Sequence, residues 1–245
     1  MSTRSMLVRN VAAPSAFVCA ALTLYAVVPY GASNPDSRQI AEAKSADEGD
    51  ASGEAGDPVS PSLPEAQLAV LAGHKWESWV GGGLGVWVSV DEQILRIIRD
   101  GRVLWQAPCA TAANGTGSKM NSHKTPLGWH SVKRKVGANA PLGQVFRSAQ
   151  ATKEIWKPGQ VTKEDLVLTR ILWLTGEEPG KNLGGDVDSY SRFIYIHGTN
   201  EEEKIGTPSS HGCVRLKNAD VVTAYDLIPE GTPVLITERV TPGTP

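Results

Sequence analysis

Short runs of β-branched and aromatic residues, separated by residues typical of turns, dominate the chain from position 86 onward. Residues 86–90 and 94–98 are such runs, and Asp100-Gly101 links the second of them to a third at residues 103–105. Because these side chains fit the pleated surface of a sheet, and because Asp-Gly favours a tight hairpin turn, the pattern predicts antiparallel strands. Runs of a similar kind occupy residues 128–136, 166–174, 192–197 and 233–240.

Helical periodicity is clear in one segment, residues 218–228. Val221, Tyr225 and Ile228 recur along one face of this segment, and Asn218 stands where an N-cap is expected. The sequence therefore predicts a mostly β fold with one or two short helices.

The N-terminal third of the chain differs in composition from the rest. Residues 1–10 carry two arginines and no acid, and residues 11–30 are almost wholly apolar. Because this layout is typical of a secretory signal or an uncleaved membrane anchor, residues 1–33 are interpreted as such a segment. Residues 34–65 hold eight acidic residues against two basic ones, which predicts a flexible linker, since so little apolar surface cannot offset the entropy of ordering. Residues 66–245 are then expected to form one folded domain.

The overall charge restricts the partners of the protein. The formal net charge is −2 at neutral pH, which argues against nucleic-acid binding, because a clearly basic domain is expected for that function. Contact with a membrane is predicted only through the N-terminal segment. Because residues 1–33 have the layout of an export segment, the protein is expected to be exported to the periplasm or cell envelope, with or without an anchor in the membrane.

One cysteine, two histidines, an arginine and several glycines crowd into residues 197–215, which read HGTNEEEKIGTPSSHGCVR. Cys213 is the candidate nucleophile, because a thiolate attacks carbonyl carbons well and neighbouring positive charge lowers the pKa of a thiol. His197 can take the proton of the thiol, and His211 can position Cys213 or add positive charge beside it. If residues 192–197 form a strand, the loop that follows returns Cys213 to the side of His197.

Other residues of this passage fit oxyanion stabilisation and substrate binding. Gly212 leaves room for a substrate and lets backbone N–H groups point at a developing oxyanion. Arg215 offers a planar fork for a substrate carboxylate, or alternatively pairs with an acid and holds the loop. Ser210 is expected to shape the loop by hydrogen bonds. The candidate oxyanion or substrate-binding residues are thus Ser210, His211, Gly212 and Arg215.

Two other interpretations of these residues are less favourable. An isolated cysteine or histidine is usually structural, but here both types cluster with glycines beside an apolar run. A zinc site of His197, His211 and Cys213 would have three ligands at spacings unlike those of structural zinc, and the sequence has no Cys-x-x-Cys pair. The sequence predicts no metal and no cofactor.

The spacing of these residues resembles the signature of the L,D-transpeptidase catalytic domain. The matching positions are His197-Gly198-Thr199, then Gly206, then the run SHGCVRL from Ser210 to Leu216. The resemblance implies a β-rich sandwich or flattened barrel, and an enzyme that acts on peptidoglycan stem peptides with His197 and Cys213 as catalytic residues. Residues 122–128, SHKTPLG, are similar to a turn of that family, and His123 within them is assigned no catalytic role.

The reaction that the resemblance implies is acyl transfer. The Cys213 thiolate would attack the carbonyl that precedes the terminal D-alanine of a tetrapeptide stem, D-alanine would leave, and an amine would take the acyl group from the thioester. The amine belongs to another stem, which gives a 3→3 cross-link, or to a lysine of an envelope protein, which anchors that protein to the wall. The alternatives are an L,D-carboxypeptidase, in which water takes the acyl group, and a non-catalytic cell-wall-binding module.

Cys109 and Cys213 are the two cysteines outside the apolar N-terminal run. Two cysteines in an exported domain often form a disulfide, but a bridge to Cys213 would disable the nucleophile, so none is predicted. Cys109 is expected to be a structural thiol. Residues 137–165 carry no chemistry that the sequence assigns.

Overall fold

The structure is a computed structural model that describes residues 62–238. The predicted export segment, nearly all of the predicted linker and the end of the last predicted strand lie outside the described residues. Ser62 bridges to Arg102 and Leu63 is buried, so both residues are packed against the folded domain. In this part of the chain, no helix is long and apolar enough to cross a membrane.

Strands make up most of the regular structure in the described residues. The helices are α1 (Glu65–Gly73), α2 (Trp76–Val80) and α3 (Asn218–Leu227), with 3₁₀ turns at Gly185–Val187 and Glu202–Lys204. The strands are β1 (Leu84–Ser89), β2 (Ile94–Arg99), β3 (Arg102–Pro108), β4 (Gly128–Val136), β5 (Gln144–Arg147), β6 (Gln150–Ile155), β7 (Val167–Gly176), β8 (Tyr195–Gly198), β9 (Val214–Leu216) and β10 (Pro233–Thr237). The prediction of a mostly β fold with few helices is confirmed.

Two local predictions can be compared directly with the structure. The hairpin at Asp100-Gly101 joins β2 to β3, and both residues have a positive φ, 50° and 69°, as a two-residue turn that matches strand twist requires. The helix predicted from residue 218 is α3. The N-cap prediction is wrong, because Lys217 is the N-cap and Asn218 is the first helical residue.

Helices α1 and α2 were not predicted, and the number of helices is larger than expected. Helix α1 follows Pro64 without a side-chain cap, and α2 lies between Lys75 and Gly81, which are both left-handed. The tryptophans and valine of α2 are only average helix formers. Packing stabilises this turn instead, since Trp76 is buried with its ring centre 5.7 Å from that of Trp129.

The strands form one mixed sheet in the order β3-β2-β1-β10-β4-β7-β8-β9, and the β5–β6 hairpin pairs with the first residues of β7. β1 and β10 are parallel, as are β8 and β9, whereas the other neighbours are antiparallel. Two backbone hydrogen bonds between Ala110 and Arg215, each 2.9 Å, connect the segment after β3 to β9. The two ends of the sheet therefore meet.

Alternate side chains of the sheet fill two different cores. Ile196 of β8 and Val214 of β9 belong to the main core, which also contains residues of β1, β2, β4, β7, β10 and α3. Trp87 of β1 and Trp129 of β4 point to the opposite face, where α1 and α2 cover them. Because successive residues of a strand point to opposite faces, one strand contributes to both cores.

The strand predicted at residues 192–197 begins only at Tyr195. Asp188 starts a turn before it, since its backbone carbonyl accepts the N–H of Arg192 at 3.0 Å. Phe193 then adopts a φ of 59°, a left-handed conformation that is rare for a residue with a bulky side chain. This turn brings Arg192 and Phe193 near Cys213, whose thiol donates to the backbone carbonyl of Phe193.

Candidate active site

Strands β8 and β9 carry the two predicted catalytic residues to one face of the sheet. His197 pairs with Arg215 across this parallel ladder, and Ile196 pairs with Val214. Paired residues of neighbouring strands point to the same face, and successive residues alternate. Because Ile196 and Val214 point into the main core, His197 and Arg215 lie on the other face. Cys213 precedes Val214 and shares the face of His197.

The Cys213 thiol is held between β8 and the turn before it. Its Sγ donates to the carbonyl oxygen of Phe193 at 3.3 Å and accepts the N–H of Tyr195 at 3.4 Å. The side chain is partly exposed and packs against an aromatic cluster that includes Trp173 and Tyr195. The ring of His197 lies 6.4 Å from that of Tyr195, centre to centre. Both predicted catalytic side chains therefore adjoin Tyr195.

The pKa of the Cys213 thiol is raised to about 11. Burial of the sulfur is the main cause and the charge of Asp165 adds to it, whereas the N–H of Tyr195 and the charges of Arg215 and Arg192 act in the opposite direction. Neighbouring positive charge does lower this pKa, as the sequence suggested, but burial outweighs the arginines and the net pKa is raised. Cys213 rests as a thiol and needs a base to become a nucleophile.

We expect the rate of Cys213 alkylation by iodoacetamide to reach half its maximum near pH 11, because only the thiolate reacts and the pKa is raised to about 11. Mass spectrometry over a range of pH measures this rate. Cys109 is an internal control, since burial raises its pKa to about 12 and the thiol is inaccessible. A midpoint near the ordinary thiol value of about 8.5 would contradict the assignment of a resting thiol.

The imidazole of His197 is buried and oriented by its own strand. Its Nδ1 lies 2.7 Å from the carbonyl oxygen of Gly198. Because a carbonyl only accepts, Nδ1 carries the proton of the neutral ring and Nε2 is left as an acceptor. Burial lowers the pKa of His197, which keeps the ring neutral at neutral pH. In the described residues no hydrogen bond joins this ring to Cys213, and such contacts often tighten only when substrate is bound.

Gly198 follows His197 at a position where no side chain fits. A Cβ there would lie 2.5 Å from the side-chain oxygen of Asn218 and 2.9 Å from the carbonyl oxygen of Leu168. Asn218, at the start of α3, also donates through Nδ2 to the carbonyl of Thr199 at 2.8 Å. Helix α3 thereby fixes the backbone whose Gly198 carbonyl orients the imidazole.

Ser210 and Gly212 shape the turn that ends at Cys213. The Ser210 hydroxyl donates to the Cys213 carbonyl at 2.6 Å and accepts the Gly212 N–H at 3.2 Å. The Gly212 carbonyl in turn accepts the hydroxyl of Thr125 at 3.0 Å. Because the Gly212 N–H is already bonded, it does not point freely at an oxyanion. The Cys213 N–H donates to no acceptor among residues 62–238 and is better placed for that role.

Arg215 is buried and faces acids rather than open solvent. Its Nη1 lies 2.8 Å from Asp165 and 2.7 Å from Glu201, and its Nη2 donates to the Ser209 hydroxyl. Of the two roles considered for Arg215, these contacts match the one that holds the loop, since a substrate carboxylate would find no open fork here. His211 is exposed, with its Nδ1 2.9 Å from the second oxygen of Asp165.

Replacing Asp165 by asparagine is expected to lower the free energy of unfolding by about 1.5–3 kcal/mol, the usual contribution of a hydrogen bond to a charged group. The loss is expected because Arg215 stays buried with one carboxylate fewer. Urea unfolding at neutral pH measures it. Glu164 supplies the control, since it is exposed in a 2.9 Å ion pair with Arg147 and its replacement by glutamine should change little. Equal losses of unfolding free energy in the two variants would contradict the assignment of Asp165 as a stabilising partner of the buried Arg215.

The same cluster makes stability depend on pH. Burial by itself raises the pKa of Asp165, but the hydrogen bond from His211 and the charge of Arg215 outweigh it, and the pKa is lowered. The stabilisation is therefore fully present above the unfolded pKa of about 4, and it is lost as pH falls through the lower folded pKa. The decrease of stability in acid should be smaller in the asparagine variant.

Several residues near the thiol were missed by the sequence analysis. Tyr195 lies two positions before His197, so strand alternation could have placed it on the same face. Asp165 ends a segment that carries no motif, and it comes near Arg215 because β7 pairs with β8 and β8 pairs with β9. Within the described residues, His, Cys, Asp and Glu side chains form no group of three that could hold a metal ion. The arrangement offers a candidate nucleophile, a candidate base and, within residues 62–238, a free backbone donor.

Residues 84–236 match the family model described as YkuD, L,D-transpeptidase catalytic domain. YqjB of Bacillus subtilis strain 168, which carries an L,D-transpeptidase name, is 47% identical over 57 residues, or 23% of this chain and 32% of its own length. YbiS of Escherichia coli K12 also carries such a name and is 49% identical over 43 residues, or 18% of this chain and 14% of its own length. The match thus spans a third or less of these curated relatives.

A crystal structure of an L,D-transpeptidase from Xylanimonas cellulosilytica is 23% identical, with a TM-score of 0.39 over 64% of this chain and 61% of that one. The family model, in contrast, covers more than half of the chain, from the first strand to the last. The chain therefore belongs to the YkuD family of L,D-transpeptidase catalytic domains.

Proposed function

We propose that the protein is a peptidoglycan L,D-transpeptidase in which Cys213 is the nucleophile and His197 accepts its proton. The observation that carries the proposal is the arrangement on one face of β8 and β9, where a partly exposed thiol and a neutral imidazole both adjoin Tyr195. Membership of the YkuD family supports the reaction class and peptidoglycan stem peptides as the substrate.

The first half-reaction forms a thioester. As the donor peptide binds, the thiol proton passes to Nε2 of His197, and the thiolate attacks the carbonyl carbon that precedes the terminal D-alanine. In the family this is the bond between diaminopimelate and D-alanine. The Cys213 N–H donates to the resulting oxyanion, a contact that typically changes rates by about 10²–10³-fold. Collapse of the intermediate breaks the C–N bond, and the imidazolium returns the proton to the departing amine of D-alanine.

The second half-reaction transfers the acyl group to an acceptor. An amine attacks the thioester carbonyl and gives a proton to the His197 imidazole, and the new amide leaves as the thiol is regenerated. An amine of a second stem gives a 3→3 cross-link, a lysine of an envelope protein gives anchoring to the wall, and water gives carboxypeptidase activity. The same chemistry at Cys213 serves all three acceptors.

The place of action follows from the substrate. Peptidoglycan lies outside the cytoplasmic membrane, so the protein acts in the periplasm or cell envelope. Export through residues 1–33, as a cleaved signal or a retained anchor, is part of the proposal.

The test is incubation of the full-length protein with disaccharide-tetrapeptide, followed by mass analysis of the products. Cross-linked dimers with release of D-alanine are expected. Tripeptide without dimer, and without transfer to an added peptide that carries a free lysine amine, would identify a carboxypeptidase, and binding without D-alanine release would identify a wall-binding module. Either of these results would overturn transpeptidation as the main activity.

A further inference from the structure

Arg192 is a second guanidinium near Cys213, and its environment differs from that of Arg215. Its side chain is half-buried, and Nη2 donates to the carbonyl of Lys124 at 2.7 Å. Longer contacts reach the carbonyl of Gly117 at 3.4 Å and the hydroxyl of Ser122 at 3.5 Å. All of these acceptors are neutral. In the part of the chain that the structure describes, no carboxylate forms an ion pair with Arg192.

Two observations place Arg192 beside the segment that carries Cys213. The Lys124 carbonyl that it binds lies 3.3 Å from the position a Cβ on Gly212 would occupy, so the guanidinium reaches the segment that carries Cys213. Along the chain, Arg192 precedes Phe193, whose carbonyl accepts the Cys213 thiol. The backbone just after Arg192 therefore contacts the Cys213 thiol, and the guanidinium binds a carbonyl that lies beside Gly212.

The two arginines near Cys213 thus have different capacities for a ligand. Arg215 is closed off by Asp165 and Glu201, which compensate its charge. Arg192 keeps an uncompensated charge on a half-buried side chain. A half-buried guanidinium with only neutral partners is suited to bind a carboxylate, because its planar fork matches the two oxygens and charge-assisted hydrogen bonds are strong.

The donor peptide supplies such a carboxylate at the required place. Only the nitrogen and Cα of the terminal D-alanine separate the attacked carbonyl carbon from the free carboxylate carbon, a distance of roughly 4 Å. The carboxylate must therefore lie beside the thiol during attack. Without a cation there, it would oppose the negative charge that develops on the oxyanion a few ångströms away.

We propose that Arg192 binds the free terminal carboxylate of the donor stem and so selects peptides that end in an unblocked D-amino acid. This inference rests on the proposed function and deepens it. It assigns recognition of the carboxylate to Arg192, a role that from the sequence was one of two alternatives for Arg215. The Lys124 carbonyl holds the guanidinium at the site, and the bound carboxylate replaces the weak contacts with Gly117 and Ser122.

The first experiment compares two synthetic tetrapeptide donors, one with a free and one with an amidated terminal carboxylate. For the wild-type protein, kcat/KM for D-alanine or D-alaninamide release should favour the free carboxylate by about tenfold to a hundredfold. In Arg192→Gln the preference should fall close to one. Arg99→Gln, at an exposed strand end, should keep the wild-type preference. A variant at Arg192 that loses activity equally toward both donors would overturn the proposal.

A second experiment tests the same residue independently of turnover. Iodoacetate and iodoacetamide alkylate the same thiolate but differ in a carboxylate, so the ratio of their rates at Cys213 cancels any change in the thiol pKa. Arg192→Gln should lower the iodoacetate-to-iodoacetamide ratio about three- to tenfold, and Arg192→Lys, which keeps the charge, should keep most of it. An unchanged ratio in Arg192→Gln would overturn the proposal.

The two experiments separate this inference from the proposed function. If neither donor releases an amine product while the alkylation ratio falls as expected, the transpeptidase proposal fails and carboxylate binding at Arg192 stands. If the donors react but amidation has no effect in the wild type, the transpeptidase proposal stands and the role of Arg192 is wrong. A thermal unfolding temperature within about 2 °C of the wild type shows that the variant is folded in each case.

Discussion

Replacing Cys213 by alanine is expected to abolish D-alanine release from a tetrapeptide donor, with a loss of about 10⁴-fold or more. Alanine cannot form the thioester, and the Tyr195 hydroxyl on the same face of β8 is a poor substitute, because burial raises its pKa well above the ordinary value. A coupled assay measures D-alanine, and mass spectrometry of the protein during turnover detects the acyl adduct. The wild-type protein should gain the mass of a tripeptide-bearing fragment, and the variant should gain none.

Cys109 provides the matched control for this experiment. It is the other thiol in the described residues and is fully buried in the main core. Cys109→Ala should retain the wild-type rate within about twofold while lowering the free energy of unfolding by about 1 kcal/mol. D-alanine release that persists in Cys213→Ala, or that disappears in Cys109→Ala, would exclude Cys213 as the nucleophile.

The elements that were predictable from sequence are those set by local patterns. Strand β4 begins and ends at the predicted residues, Gly128 and Val136, where glycines at positions 128 and 137 mark the ends of the run. The Asp100-Gly101 turn and the apolar face of α3 are local in the same sense. The family signature that begins at His197 was also recognisable from sequence, because it covers one continuous segment: the end of a strand, a loop, and the return to the neighbouring strand.

The parts of the site that were not predictable depend on contacts between distant segments. Asp165 and Arg215 are 50 positions apart, so no spacing rule joins them, and the closed state of Arg215 could not be foreseen. The thiol pKa depends on burial by surrounding strands, which the flanking residues of Cys213 do not reveal. The turn at Phe193 replaced a predicted stretch of strand because the backbone carbonyl of Asp188 binds the Arg192 N–H, and this turn brings Arg192 to the region of Cys213.

Replacing His197 by glutamine is expected to lower kcat/KM for D-alanine release by about 10³-fold, within the usual range for loss of a general base. Glutamine keeps a polar group next to the Gly198 carbonyl but cannot take the thiol proton. The thiol of Cys213 would then depend on its own ionisation, which is small at neutral pH because its pKa is raised to about 11. Activity of the variant should therefore recover as pH rises toward that value, whereas the wild-type protein is expected to be active already at neutral pH.

The acid side of the pH profile gives the sharper test of His197. The neutral imidazole is the active form and burial lowers its pKa from 6.5, so the wild-type kcat/KM should stay constant as pH falls to about 6.5 and decline only below it. His197→Gln should lack this decline. His123→Asn is the matched control, because His123 is exposed near the site with a φ of 55°, which asparagine tolerates, and its profile should match the wild type. An acid decline of the same midpoint in His197→Gln would assign the titration to another group and remove His197 from the role of base.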